Sequence, residues 1–398
     1  SSTGSSWGDV DNDGDLDLFV GNRGVSPSYL YINVEGLLYE NNPSGVVGNE
    51  ILVSFPDDLN DVTHASWGDV NNDGYPDLFI GSPTFTELYE SNYSNLILTY
   101  AVTFSDSTIN SFGGSMADVN QDGVLDFVLT NSIEDDDDAN YLYLSSDSDY
   151  TKIKLGRTID SYKHKGIFFF DYDHNSRPDI LLPSGDFNET YLFHVRDDLT
   201  MGIEWFVCGP SISACVGDFD RDADQDFLML KKGRLARNRL YENDDTETNG
   251  DNFQGKVEIF GNLFDSSYGG ESQSASLIDY NNDGYSDLFV VNNDSISVLF
   301  RHSGDQEEIP YKRVFHEPIL DVYADTDEGF VGHAWGDIDN DGDLDLFMAN
   351  ADPAKENVLF INRSEQLTVS SGNHFINIEL KGDTSNCSAI GAKVFVHA

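Results

Sequence analysis

Asp9, Asp11, Asp13 and Asp17 stand at alternate positions around Gly14 in the run Asp9-Val10-Asp11-Asn12-Asp13-Gly14-Asp15-Leu16-Asp17. With Asp9 as position one, carboxylates fall at one, three, five and nine, and glycine at six. A hard cation asks for this pattern in a tight loop. Calcium takes about six to eight oxygens, and glycine permits the sharp turn that aims them at one point. Position seven contributes a backbone carbonyl, so its side chain is free to vary.

Six further copies follow. The second is Asp69, Asn71, Asp73, Gly74, Asp77 and the third Asp118, Asn120, Asp122, Gly123, Asp126. The fourth is Asp171, Asp173, Asn175, Ser176, Asp179 and the fifth Asp218, Asp220, Asp222, Ala223, Asp226. The sixth is Asp279, Asn281, Asp283, Gly284, Asp287 and the seventh Asp337, Asp339, Asp341, Gly342, Asp345. Position seven is Asp15, Tyr75, Val124, Arg177, Asp224, Tyr285 and Asp343 in turn, as expected where only main chain is used. One acidic turn would be a commonplace surface feature; seven in register, each entering an apolar run, are expected to hold up to seven calcium ions. Ser176 and Ala223 replace glycine, and a non-glycine residue at positive φ costs about 1 kcal/mol. With Arg177 adding a cation beside it, the fourth site is expected to be the weakest.

These loops need strands on both sides. Ahead of them stand Gly4–Gly8, His64–Gly68 and His333–Gly336, small residues with a Trp-Gly pair. Behind them come the β-formers Leu16–Val20, Leu78–Ile80, Phe127–Leu129, Ile180–Leu182, Phe227–Leu230, Leu288–Val291 and Leu346–Met348. A third strand reads in Tyr29–Ile32, Tyr141–Leu144, Tyr191–Phe193, Val298–Phe300 and Val358–Phe360; a more variable fourth reads in Leu37–Tyr39 and Val257–Phe260. The units recur every 47 to 61 residues, and such a period signals a solenoid, propeller or array. The expectation is an all-β, seven-bladed β-propeller of four-stranded blades over residues 1–370, with every loop between the first two strands of its blade and all loops on one face.

The formal charge is −49, with 71 acidic against 22 basic residues. Seven dications would offset only part of it. Such a surface disfavours nucleic acid or an anionic membrane as partner and suits a salty, calcium-containing medium. No apolar run reaches membrane-spanning length, and no signal peptide is seen; the chain opens inside a repeat, so a targeting segment would precede residue 1. Of the three cysteines, Cys208 and Cys215 flank Gly209-Pro210 and either close a short disulfide or remain buried thiols; Cys387 is the third. No CxxC pair supports a zinc or redox site.

Other candidate features read as structural or solvated first. The acidic run Glu134–Asp138 reads as a solvated loop, or a secondary cation or partner site. The basic stretch Lys231, Lys232, Arg234, Arg237, Arg239 reads as a solvated hairpin, or a dock for an acidic neighbour such as a second copy. His64 and His333, shortly ahead of Trp67 and Trp335, read as strand residues. Sequons at Asn92, Asn188, Asn293, Asn362 and Asn386 are no more than so Asn- and Ser-rich a chain offers by chance.

The stretches 7–19, 67–79 and 335–347, each running from Trp-Gly-Asp to Asp-Leu-Phe around the loop, resemble the FG-GAP/VCBS repeat family. That family includes the integrin α-subunit propeller, and the resemblance implies calcium in similar loops. Residues 371–398, with Ser385-Asn386 and Ala389–Ala392, resemble the start of an ASPIC/UnbV domain, as in the cartilage acidic protein group, whose members are secreted. The family does not choose a task. With no GxSxG, HExxH or P-loop, the expectation is a non-catalytic extracellular protein for adhesion, matrix or surface assembly, whose partner is a protein, a glycan or another copy of itself. The alternatives are a carbohydrate-binding propeller, with Tyr75 and Tyr285 either exposed for sugar or packed on the neighbouring blade, and, less favoured, a polysaccharide-active enzyme.

Overall fold

The computed structural model describes residues 2–24, 26–40, 59–83, 85–91, 99–103, 111–131, 140–146, 149–155, 166–183, 185, 189–196, 199–207, 209–219, 222, 224–233, 238–241, 243, 258–259, 271–293, 297–302, 320–321 and 329–363. The run Glu134–Asp138, Asp220, Ala223, Arg234, Arg237, Cys208, Cys387, the sequons at Asn92, Asn188 and Asn386, and the whole of 371–398 lie outside them.

The described strands form seven antiparallel sheets, each built from strands consecutive in sequence, six of four strands and the last of three. The first holds Ser2–Gly8, Asp17–Asn22, Tyr29–Val34 and Leu37–Glu40. The second strands begin at the position-nine aspartate, one residue before the apolar run that marks them in six repeats and one residue after the expected Leu16 in the first. Asp17 pairs across to Gly8, Asp77 to Gly68 and Asp345 to Gly336.

Both faces of these second strands are apolar because both are covered. Along Asp17–Asn22 every residue is buried, and the same holds for Asp226–Lys231, Asp287–Asn292 and Asp345–Asn350. Alternation then sends successive side chains to opposite neighbours. Phe19 packs with Leu78 and Ile80 of the second sheet, whereas Leu18 and Val20 pack with Phe347 and Ala349 of the seventh. Phe79 meets Phe127, with ring centroids 5.1 Å apart, and Phe289 meets Trp335 edge-on at 5.4 Å. Apolar clusters thus lie between each consecutive pair of sheets and between the last and the first. Each buried Phe, Leu or Ile contributes about 1.5–3 kcal/mol over its exposed state.

The Trp-Gly pairs serve this packing. A methyl at Gly8 would meet the Trp67 indole at 2.6 Å, and one at Gly336 the Trp7 indole at 3.2 Å. Glycine lets the next sheet's tryptophan lie on the backbone. His64 and His333 are strand residues in Ser-, Gly- and Phe-lined seams. The His333 ring lies 2.9 Å from both Ser274 Oγ and Ser276 Oγ of the sixth sheet. A methyl at Gly81 or Gly114 would overlap the His64 ring.

Cys215 is a buried free thiol, which burial pushes up to about 12. The basic stretch is not one solvated face. Lys231 is buried, and its ammonium donates to Gly209 O at 3.3 Å and Ser211 Oγ at 3.1 Å.

Candidate metal centres

Each loop between first and second strands is wound by its own carboxylates. Asp9 accepts the amides of Asp13 and Gly14, each at 3.0 Å on a different oxygen. Asp69, Asp118, Asp279 and Asp337 do the same for positions five and six of their loops, at 2.7–3.1 Å. The position-five oxygen then takes the amide of position seven, as in Asp13 with Asp15 at 2.8 Å and Asp341 with Asp343 at 3.0 Å. Glycine at six has φ of 97°, 93°, 90°, 82° and 89° at Gly14, Gly74, Gly123, Gly284 and Gly342. Ser176 adopts φ 69° in the fourth loop, so the turn forms without glycine, and its amide still reaches Asp171 at 2.9 Å.

Position nine does more than face the loop. Asp17 is fully buried; one oxygen accepts the Val10 amide and the other the Asn33 amide at the end of the third strand, both at 2.8 Å. Asp77, Asp126, Asp179 and Asp345 repeat both bonds, and so does Asp226. These aspartates fasten loop, second strand and third strand together, a role that loop spacing does not announce.

The remaining oxygens face one another. In the first loop, one oxygen each of Asp9, Asp11 and Asp13 lies within 4.8 Å of the others, and in the seventh the same holds for Asp337, Asp339 and Asp345. Asp11 Oδ1 and Asp287 Oδ2 are buried and make no hydrogen bond among the described residues. Burial, then the charge of Asp13 and Asp9, pushes Asp11 up to about 7. Burial pushes Asp17 up to about 8, Asp77, Asp126 and Asp287 to about 7, and Asp345 to about 6, partly opposed by their amide bonds. In the first and seventh loops, crowded carboxylates with no nitrogen or sulfur donor among them fit a hard dication.

Adjacent loops touch, which puts them on a common face. Position four is left-handed in each described copy, from Asn12 at φ 59° to Asn340 at φ 56°. From there Asn72 donates to Gly123 O at 2.9 Å, Gln121 to Ser176 O at 2.6 Å, and Asn282 to Gly342 O at 3.0 Å. Asn340 reaches Asp15 Oδ1 in the first loop at 2.6 Å.

Two basic residues sit differently from the sequence expectation. Arg177 reaches beyond its own loop; its guanidinium donates to Asn120 O in the third loop at 2.9 Å. The cation inside a loop is Arg301, which the spacing did not flag, paired with Asp283 at 2.9 Å in the sixth. Arg301 immediately precedes His302, whose amide binds Asp287. The equivalent residue in the fourth sheet is His194, before Val195. At position seven, Tyr285 stacks on His302, 5.0 Å away at 15°. In the fifth loop the described residues keep the position-seven turn, with Asp224 donating to Asp222 at 3.1 Å.

Sequence families and solved structures agree with this architecture. The FG-GAP-like repeat family matches residues 9–80 and 279–348. A search of curated proteins finds no match. Among solved structures, the chain is similar to BBS1N in complex with ARL6DN, in crystals soaked with lead, at 7% identity and a TM-score of 0.53, covering 88% of this chain and 90% of that one. It is also similar to an Agrocybe aegerita lectin that recognises non-reducing terminal N-acetylglucosamine, at 14% identity and a TM-score of 0.51, covering 86% and 88%. At such identities the likeness concerns fold alone. The chain thus carries FG-GAP-like repeats towards both ends of a succession of small antiparallel sheets, in a β-propeller fold.

Proposed function

We propose that the protein is a calcium-loaded, seven-bladed propeller of four-stranded blades that works outside the cell as a non-catalytic adhesion, matrix or surface-assembly protein. The observation that carries this reading is the repeated winding of loops on their position-one carboxylates, with oxygens of positions one, three and five in the first loop, and one, three and nine in the seventh, gathered within 4.8 Å of one another. Asp9, Asp11 and Asp13 are the plainest case. Calcium bound there would neutralise carboxylates that otherwise repel and would tie each loop to its sheet. A millimolar-calcium medium outside cells suits that chemistry and the charge of −49. The carboxylates are turned to backbone amides and to each other, an arrangement for holding an ion rather than for moving protons to a substrate.

The partner is a protein or a glycan, and self-assembly is one form the first can take. The glycan reading draws on the fold shared with the Agrocybe aegerita lectin. The test is a melting curve and light scattering in millimolar calcium and again in chelator. A marked fall in Tm on chelation is expected, and an unchanged Tm would overturn the calcium reading. An assembly that falls to the 44.2 kDa monomer in chelator would identify a calcium-held matrix subunit. A monomer in both conditions would remove assembly and direct attention to glycan arrays.

A further inference from the structure

The fourth loop has donors unlike the others. One atom each of Asp173, Asp179 and His194 lies within 4.8 Å of the other two. Three elements bring them together: the loop, the start of the second strand and the end of the third. Ile180 pairs with Phe193, so the next step of the register sets Asp179 opposite His194. In the sixth sheet Leu288 pairs with Phe300, which sets Arg301 opposite Asp287 in the same way, and Arg301 demonstrably reaches its loop at Asp283. A polar side chain at this register position can therefore reach its loop, as Arg301 does.

The fourth loop has also lost features that favour calcium. Position five is Asn175, whose amide nitrogen donates to Val195 O at 3.0 Å while its oxygen takes the Arg177 amide at 2.7 Å. Position five is thus a neutral amide, where the other six loops carry an aspartate. Beside Asp171, which holds the Ser176 amide, the loop then offers the carboxylates of Asp173 and Asp179 and an imidazole. Calcium takes oxygen ligands; imidazole suits zinc, copper, iron and nickel and is the commonest nitrogen ligand of divalent transition metals.

We propose that Asp173, Asp179 and His194 form a mixed carboxylate–imidazole site that takes a divalent first-row transition metal in preference to calcium. This does not rest on the calcium reading, since the donors belong to one loop and one strand pair. Ligands of a tetrahedral ion stand about 3.4 Å apart at bond lengths near 2.1 Å, so small rotations of exposed Asp173 and of His194 close the site.

The test uses the full chain with cobalt(II) as probe, by absorption spectroscopy and equilibrium dialysis, in excess calcium and again after chelation. One equivalent of cobalt that calcium does not displace is expected, with about tenfold or more weaker binding in H194Q and in D173N. Unchanged far-ultraviolet circular dichroism of both variants would show that folding is intact. Cobalt binding that calcium displaces, or that H194Q leaves unaltered, would overturn the proposal. Cobalt bound in a protein whose Tm ignores calcium would sink the calcium reading and leave this one standing.

Discussion

Asn33 in the first sheet donates its side-chain amide to the carbonyl of Ile338, 305 residues away in the seventh, at 2.8 Å. The same amide also reaches Leu16 O at 3.2 Å. Asn362 and Asn243 hold equivalent posts, donating to Tyr280 O at 2.7 Å and Tyr172 O at 2.9 Å in the preceding sheets. One residue type thus joins neighbouring sheets at several seams, the terminal seam included. Asn33→Ala removes a buried donor and orphans a carbonyl; a loss of about 1–3 kcal/mol in urea unfolding is expected.

The double use of position nine separates two kinds of aspartate. Asp126→Ala strips the acceptor from the buried amides of Val119 and Ser145 and is expected to cost about 2–5 kcal/mol, with or without calcium. Asp122→Asn lies at an exposed loop position and should weaken calcium binding about tenfold while leaving the metal-free melt nearly unmoved. Denaturation of both variants in calcium and in chelator distinguishes them.

Arg301 is a resident counter-ion. Its side chain is 47% exposed, so its pairing with Asp283 is expected to stabilise by well under 1 kcal/mol. Arg301→Leu should lower the metal-free Tm slightly and raise calcium affinity at the sixth loop several-fold. Calorimetric titration that finds no tightening would show that Arg301 does not compete for the site.

Acid should act on the histidine seams. Burial pushes His64 down to about 3 and His333 to about 4, against 6.5 when unfolded. Between these values the unfolded chain binds more protons than the folded one. Stability from each histidine therefore falls as pH drops below 6.5, by up to about 1.4 kcal/mol per pH unit, and levels out below the folded value. Buried aspartates shift the other way, so the clean measurement is the difference between wild type and His333→Gln across pH 7 to 4.5. Parallel curves would contradict the assignment.

The sequon at Asn362 should stay unmodified on secretion from eukaryotic cells, because its amide is committed to Tyr280 O and Leu344 O. Peptide mass spectrometry reads this directly.

The second strands and their loops were legible because their signals are local. Leu18-Phe19-Val20 is a short continuous apolar run, the mark of a strand buried on both faces, and the loop spacing is a pattern of nearby residues. What escaped was set by distance. Position four links one loop to the next, and the direction Arg177 takes depends on where the third loop lies. His194 and Arg301 reach their loops only once the register of the third strand is known. In six of the seven repeats the sequence places the strand start one residue late, because an aspartate looks like a loop residue until its carboxylate is seen fastening two amides. Such a buried acid is unfavourable by composition and tolerable only through those bonds.

Because Asp17 and its counterparts hold the blade through main-chain amides, the architecture is indifferent to what the outer loop positions carry. Main-chain partners persist under any substitution except proline, so a repeat can lose, soften or exchange its ion without unravelling. Duplicated units of this kind can drift apart in chemistry while remaining interchangeable as masonry. The sixth loop, with its own arginine, and the fourth, with its histidine, record two such divergences in a single chain.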